Sequence, residues 1–538
     1  MSDCIYKEKW LLDEVYGDKI PEEPGFSCYY NIVRAIRLYM KHGRNNSKIF
    51  FHADCDFDGI GTCYELFKYS LYYGFKGIGA TINKEKVHGI NMSHANYINK
   101  RNANGGEGKI DLFIVLDSST NEIEAIKSCN CDVLVIDHHK VTTNELYGKT
   151  YDGHDYVIVN NTIQNPEFEQ NKEELLQFSN KFENMQPHDG DPRASCGLVV
   201  YEFLRILSVC TRNEDMLENS RIIQWVGMTL FTDSVDTKTK RNIYYMTKSM
   251  YNFNIEPTLK VILNSVNKYL QFVTKSFINY SFTPLINKAI RAGHSGDALQ
   301  IILNQPQNIT QLAVYDVYQR DALFRAGITE DSEYNFYCKR LSDDVVHHNY
   351  YGYIAQRICS DFKKSAAVYR FLDNGKVKGS FRGRRIDIDY NGIFNTYYPE
   401  SAQGHDGAFG FEMTEQELVN VMAVCGDLDS RNVEHTFMSI GNIPLALRGK
   451  YHIQNVDNFR RQQLLLKLAI GNSYVQSKDE IKILASASDI RLVKQNGKLF
   501  IYDVYGIECK AFEPITTPLA YIYAENSSVI ECYLRNFK

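Results

Sequence analysis

The sequence predicts a mixed α/β fold: a doubly wound domain on a parallel sheet, a helical connector, a smaller α/β domain and a strand-rich C-terminal domain. Three observations carry that expectation. Short, almost continuously apolar runs read as strands covered on both faces. Helical stretches alternate with them, which implies parallel crossovers. Past about residue 430 the runs become short and strand-like, with Gln495-Asn496-Gly497-Lys498 as a hairpin turn between two of them.

In chain order, Lys48–Ala53 (KIFFHA), Asp111–Leu116 (DLFIVL), Asp132–Ile136 (DVLVI) and Tyr156–Val159 (YVIV) are the buried strands. Between the first two, Gly61–Tyr73 places Leu66, Phe67, Tyr69 and Tyr73 at helical spacing, and Leu198–Leu207 and Ile222–Phe231 are further helices to cover the sheet. Residues 240–330 read as mainly helical. Gly352–Ile358 opens a second α/β unit, with strands at Ala366–Phe371 and Gly379–Phe381. Ile481–Ala485, Ile490–Lys494, Leu499–Val504 and Leu519–Tyr523 are the strands of the tail. The resulting boundaries are an N-terminal extension at 1–47, the first domain at 48–240, the connector at 241–340, the second α/β domain at 341–428 and the β-rich domain at 429–538.

Composition excludes several classes. The chain has 538 residues, 44% hydrophobic and 23% charged, an ordinary globular balance with material for two to four domains. No apolar run approaches the roughly 18 residues that cross a bilayer, and Met1–Glu14 lacks a secretory apolar core. The 13 cysteines are scattered without a C-x-x-C pair, against a disulfide framework or a zinc ribbon, so a reducing cytoplasm is the expected location. A net charge of −5 counts mildly against a nucleic-acid binder, yet a local basic groove suffices for one, and Lys376–Arg385 (KVKGSFRGRR) supplies a basic segment.

The chemistry lies in the residues just past each strand. KIFFHA runs into Asp54-Cys55-Asp56-Phe57-Asp58-Gly59, FIVL into Asp117-Ser118-Ser119, and VLVI into Asp137-His138-His139. Parallel sheets place their sites beyond the carboxyl ends of the strands, so three successive strands deliver acids and imidazoles to one crevice. Asp233, after the apolar Met228–Phe231, is a fourth contributor. Clustered carboxylates repel one another unless cations neutralise them. Oxygen and imidazole donors suit Mn²⁺ or Mg²⁺ better than Zn²⁺. Two such ions about 3.5–4 Å apart activate a water and stabilise the leaving oxygen of a phosphate ester. A lone strand-end Asp is ordinarily a cap, and a lone His pair ordinarily surface; their ordered repetition is what favours a site.

The segments HADCDFDG (52–59), LDSS (116–119), IDHH (136–139) and FTDS (231–234) resemble, in that order, motifs I to IV of the DHH phosphoesterases. The resemblance implies a metal-dependent phosphodiesterase with two divalent ions, Mn²⁺ foremost and Mg²⁺ next. It assigns one ion to His52, Asp56 and Asp117. It assigns the other to Asp58, Asp117, His138 and Asp233, with Asp117 bridging. Asp54 is the extra acid of the RecJ form of motif I and joins the metal set. His139 would sit by the phosphate, and Asp137 would orient its neighbours. Alanine at Asp117 or Asp137 should abolish turnover and leave the fold intact. His347-His348 lacks a preceding strand-end acid and is read as no part of the site.

Later segments point to the RecJ branch. SFTPLINKAIR (281–291) is similar to a RecJ segment through Pro284, Asn287 and Arg291, with Leu285 and Ile290 departing from it. YGYIAQRI (351–358), KGSFR (378–382) and GHDGAFG (404–410) look like the DHHA1 domain that comes next in RecJ. There Arg382 and Ser380 would bind phosphate, and GHDGAFG would be a glycine-rich loop, Gly404 letting the backbone approach and His405 reaching the scissile group. Asn287 and Arg291 join the substrate residues, and Lys84 or Lys86 is the candidate for a 5′-phosphate contact.

The resemblance covers about residues 48 to 425 and implies 5′→3′ hydrolysis of single-stranded DNA in a cleft between the two domains. Single-stranded nucleic acid, DNA favoured, is the expected partner, with a single-strand-binding protein or helicase beside it and no membrane. The tail is strand-rich like the OB fold that comes after DHHA1. Phe500, Tyr502, Tyr505, Tyr521 and Tyr523 could stack bases there, although alternating aromatics more often pack a core. The competing readings are an oligoribonuclease or cyclic-dinucleotide phosphodiesterase on the same core, an inorganic pyrophosphatase, and an inactive nucleic-acid-binding scaffold.

Overall fold

The computed structural model describes residues 22–430, apart from 46, 106–107, 143–147, 234, 236, 238, 251, 253, 269, 271, 330–333 and 386–387, and then 437–439, 482–486, 490–504, 507–516, 519–526 and 530–536. Tyr505 and Ser234 lie outside the described residues. The described residues form two units, one within 22–287, 296–310 and 437–536, the other within 288–295 and 311–430.

The first unit is built on a six-stranded sheet. Its strands are β1 (Lys48–Ala53), β2 (Gly77–Ile82), β3 (Leu112–Leu116), β4 (Asp132–Asp137), β5 (Gly148–Tyr151) and β6 (His154–Asn160), in the order β2-β1-β3-β4-β6-β5. All neighbours are parallel except β5 and β6. Alternation assigns the faces. Phe113, Val115, Val133, Val135, Tyr156 and Ile158 pack on one side with Ala95 and Ile98. Phe51, Ile114, Leu116, Leu134, Ile136 and Val159 are buried on the other. There α1 (Ile32–Arg44), α2 (Phe57–Tyr73) and α4 (Cys196–Thr211) lie against β6, β1 and β4, while α3 (Met92–Asn104) covers the first side. The sheet is doubly wound.

The segment ahead of residue 48 joins this domain. Ser27–Cys28 pairs in parallel with Gln186–Pro187, and Asn31 donates to the Ile158 carbonyl at 3.0 Å. After α5 (Ile223–Thr232) the chain is mostly helical to Ala326. A π-turn at Ile278–Phe282 precedes α6 (Thr283–Arg291), where Pro284, which has no N–H to give, falls in the first turn.

The second unit carries a five-stranded sheet of β7 (Phe336–Arg340), β8 (Ser365–Phe371), β9 (Val377–Arg382), β10 (Ala402–His405) and β11 (Ala408–Met413), ordered β10-β11-β9-β8-β7. β7 lies ahead of the residue-341 boundary expected from sequence. Helix α7 (Tyr351–Phe362) packs on Ala366 and Val368, and α8 (Tyr390–Tyr397) and α9 (Glu415–Ser430) pack on Ala367, Phe381, Phe409 and Phe411. The expected glycine-rich loop at 404–410 is instead a β-hairpin. β10 and β11 pair antiparallel with His405 opposite Ala408, leaving Asp406-Gly407 as a two-residue turn. Asp-Gly favours that turn, and the buried Phe409 and Phe411 alternate as a strand requires.

The C-terminal region is strand-rich. β12 (Phe437–Ser439), β13 (Lys482–Ser486), β14 (Ile490–Asn496), β15 (Leu499–Val504), β16 (Ile507–Ala511), β17 (Leu519–Asn526) and β18 (Ile530–Asn536) form one sheet, ordered β12-β13-β17-β18-β16-β15-β14. β14 and β15 are joined by the turn at Gly497, whose φ is 59°. Tyr502 is buried, in keeping with aromatic core packing.

Candidate metal centre

The acids gather at the carboxyl ends of β1, β3 and β4. Ligand-capable atoms of Asp58, His138 and Asp233 lie within 4.8 Å of one another, as do those of Asp54, Asp56 and Asp117, and those of Asp117, His138 and His139. His52, expected beside Asp56 and Asp117, is in none of these groups; Asp54 takes that place.

Local structure explains each placement. Asp56 caps α2, accepting from the Gly59 amide at 3.0 Å. Gly59 has to be glycine, because a Cβ there would lie 2.6 Å from the Asp54 carbonyl oxygen. Asp58 accepts from the Cys196 amide at 2.8 Å, the Gly197 amide at 3.2 Å and the Thr62 hydroxyl at 3.1 Å, so it closes the start of α4. Asp54 accepts from the Gly89 amide at 3.1 Å and pairs with His88. Asp233 is the residue at which α5 ends. Asp117 comes directly after β3 in a left-handed conformation, φ 65°, its amide donating to the Ile136 carbonyl at 3.0 Å. A non-glycine residue held there marks a constrained position.

Asp137 is a hub rather than a ligand in this arrangement. Its Oδ1 accepts from the His138 amide at 2.7 Å, the His139 amide at 3.1 Å and His139 Nδ1 at 2.8 Å. Its Oδ2 accepts from the Thr120 amide at 3.0 Å and the Thr120 hydroxyl at 2.7 Å. Removal of this carboxylate orphans buried donors, which revises the expectation that alanine here leaves the fold intact. His138 Nδ1 donates to the Ala194 carbonyl at 2.8 Å, which turns Nε2 to Asp117 at 3.1 Å and Asp58 at 3.8 Å. The neighbouring Arg193 carbonyl is in turn held by Arg241 at 3.1 Å and Asn242 at 3.0 Å.

The electrostatics show a deficit of positive charge. Burial, then the Asp233 charge, pushes Asp58 up to about 7. Burial, then Asp58 and Asp56, pushes Asp117 far above the carboxylate range. Asp233 and Asp58 outweigh burial and carry His138 up to about 9, and Asp137 likewise carries His139 up to about 10. Burial and the nearby His94 take His52 down to about 3, so its imidazole is neutral. The donors are oxygen and imidazole nitrogen. The Cys55 thiol turns away to the Asn83 and Glu85 carbonyls, and burial raises it to about 12. Acids, a neutral imidazole and no thiolate fit hard divalent cations.

The structure adds residues that sequence reasoning passed over: His88, Gly89, Thr120 and Asn160. Asn160 donates to the Thr120 hydroxyl at 2.9 Å and to the His139 carbonyl at 2.9 Å. The signal was present, since YVIV runs into Asn160-Asn161 just as its sister strands run into acids. Lys84 and Lys86 are exposed on the loop after β2, and Lys86 is near enough to help lower Asp56.

In the second unit, Ser380 and Arg382 share the face of β9 turned to α7. A Cβ on Gly352 would lie 2.8 Å from Arg382 Nη2 and 3.6 Å from Ser380 Oγ, so glycine leaves the guanidinium its room. Burial, then Arg291, lowers Arg382 to about 10. Arg291 stacks 5.2 Å from the Tyr353 ring and is also lowered by burial. Among the described residues neither arginine has an acidic partner. Gly404 and His405 lie on β10, and Asn287 is half-buried on α6. His347 caps a short turn and His348 lies 3.4 Å from Asp343.

Such a strand-end centre on a doubly wound sheet defines a class. Residues 48–221 match the model of the DHH family, N-terminal domain. Across its length the chain has a RecJ-like fold. It is similar to RecJ from Thermus thermophilus in complex with Mn²⁺, with 15% identity and TM-score 0.65, covering 99% of this chain and 76% of that one. The same protein in complex with Mg²⁺ gives 14% identity and TM-score 0.61, covering 99% and 75%. At these identities the likeness is one of fold. No curated protein matches the chain in sequence. Among the described residues no helix is long and apolar enough to cross a membrane.

Proposed function

We propose that the chain is a metal-dependent phosphodiesterase that degrades single-stranded DNA from its 5′-end. The observation that carries the reading is the convergence of Asp54, Asp56, Asp58, Asp117, His138 and Asp233 beyond three parallel strands, with too little positive charge to balance them. Asp58, Asp117, His138 and Asp233 would hold one divalent ion, and Asp54, Asp56 and Asp117 the other, with His52 in reserve beside them. Mn²⁺ is the first choice and Mg²⁺ the second. Ions held there supply Lewis acidity to water and to the leaving oxygen.

The chain's own groups do the rest. The Ala194 carbonyl holds His138 Nδ1–H, so Nε2 faces the cluster and would give its lone pair to an ion that displaces its proton. Asp137 keeps His139 protonated, a donor for a phosphoryl oxygen. Arg382, Arg291 and Ser380 form an anion-receptive group: two desolvated guanidiniums that repel each other are relieved by a phosphate between them. His405, Gly404, Asn287, Lys84 and Lys86 complete the proposed substrate contacts. The test is digestion of end-labelled single-stranded DNA in Mn²⁺ and in EDTA, beside duplex DNA, single-stranded RNA, di- to pentanucleotides and cyclic dinucleotides. Loss of the long single strand from its 5′-end, abolished by EDTA, is the expected result. Activity confined to short oligonucleotides or cyclic dinucleotides would move the chain to the rival branch.

A further inference from the structure

A surface helix ordinarily turns a polar face to water. The helix Asp316–Ala326 of the second unit does not. At about 3.6 residues per turn, its buried Gln319, Ala322 and Ala326 mark one side, so the opposite side is centred between Arg320 and Asp321. Val317, 52% exposed, and Phe324, 85% exposed, lie along that centre line. The exposed Arg320 and Asp321 flank it, and the half-buried Asp316 and exposed Arg325 stand at its margins. Tyr318, 50% exposed, and Val314, 64% exposed in the turn ahead, widen the apolar row. Single exposed apolar residues are ordinary, but a row of them on one helix marks an interaction surface. Within the helix, Arg320 pairs with Asp316 at 3.2 Å and Arg325 with Asp321 at 2.8 Å, and Asp316 also meets Lys288 at 3.0 Å.

That face is its own complement. Turned antiparallel about a two-fold axis through its midpoint, Val317 of one copy meets Phe324 of the other, Arg320 meets Asp321, and Asp316 meets Arg325. Every position then sets apolar against apolar or charge against opposite charge. Parallel pairing would set Arg320 on Arg320 and Asp321 on Asp321 instead. We infer that this helix is the contact of a two-fold homodimer of the chain. The order of the charges selects the occupant. An apolar peptide would answer Val317 and Phe324 but not the mirrored ions, and a polyanion would be repelled by Asp316 and Asp321. One helix face is a small interface, which puts the dimer in the transient class.

The test is sedimentation velocity of the full chain from about 1 µM to about 200 µM, a range that brackets transient interfaces. Wild type should pass from monomer to dimer as its concentration rises. Phe324→Ala removes a ring from both copies and should weaken the dimer about 100-fold, with no risk to the fold at a residue this exposed. Two double variants test the register. Asp321→Arg with Arg325→Asp, and Asp316→Arg with Arg320→Asp, each keep their own i,i+4 ion pair. Each sets like charges together in its own homodimer and should stay monomeric. Mixed in equal amounts, the two variants face every charge with its opposite and should dimerise as wild type does. A wild type that stays monomeric up to about 200 µM overturns the dimer. A dimer that survives Phe324→Ala, or double variants that fail to pair on mixing, overturns this face as its contact.

Discussion

Consider Asp137→Asn beside Asp117→Asn, both in EDTA. Asp137 accepts five hydrogen bonds, three at Oδ1 and two at Oδ2. The amide does least harm with its nitrogen toward Thr120, where the hydroxyl can reverse its role but the backbone N–H cannot. That leaves one buried donor orphaned, about 1–3 kcal/mol. The three remaining bonds change from charge-assisted to neutral, about 1 kcal/mol each. The sum is about 5 kcal/mol. Asp117 is the opposite case: its Oδ1 has no hydrogen-bond partner among the described residues beyond the His138 ring 3.1 Å away, and burial, then Asp58 and Asp56, oppose its charge. Neutralising it should change stability by no more than ~1 kcal/mol. Hydrogen exchange at the Thr120, His138 and His139 amides, with the midpoint of the first urea transition, measures both. Protection should collapse in Asp137→Asn and persist in Asp117→Asn. The reverse ranking would refute the assignment of Asp137 as the structural acceptor and Asp117 as the open acid.

Three further outcomes are expected. Mn²⁺ should stabilise the wild type by about 2.7 kcal/mol per site at a hundredfold excess over Kd and leave Asp117→Asn almost unmoved; calorimetry at pH 6 should show proton release, since Asp58 is raised to about 7 and gives up its proton to a cation. At the other end of the sheet, Asp132 pairs with Lys41 and His42 at 2.8 Å, and although burial opposes it these partners depress its pKa. Its folded pKa lies below the unfolded one, so its contribution is present above about pH 4 and lost as pH falls toward the folded pKa. Asp132→Asn should therefore destabilise by about 1–3 kcal/mol at pH 7, with the gap to wild type closing in acid unfolding below about pH 4. Gly352→Ala should displace Arg382, and on the proposed reading kcat/KM on single-stranded DNA should fall about 10- to 100-fold.

The strands that build the centre were legible because burial on both faces makes them continuous apolar runs, and the acids stand immediately after them. Edge elements were not. β2 is GIGATI, half-buried and glycine-rich, so it lacks the β-branched density that marks its neighbours. Helix α1 begins after a left-handed Asn31 with no side-chain cap, so its start carries no signature. The hairpin at 404–410 was hidden by its glycines, although Asp406-Gly407 is a turn signal in its own right. Main-chain partners were beyond reach altogether: any residue at 194 offers the same carbonyl to His138, and only the fold says which one does.

Asp56 and Asp58 each serve two masters, for they close the first turns of α2 and α4 as well as facing the centre. A lineage that abandoned catalysis would still be held to these acids by its folding. Their survival in a descendant is a record of architecture, and Asp117, which ties down no helix, is the position where loss of chemistry would first be written.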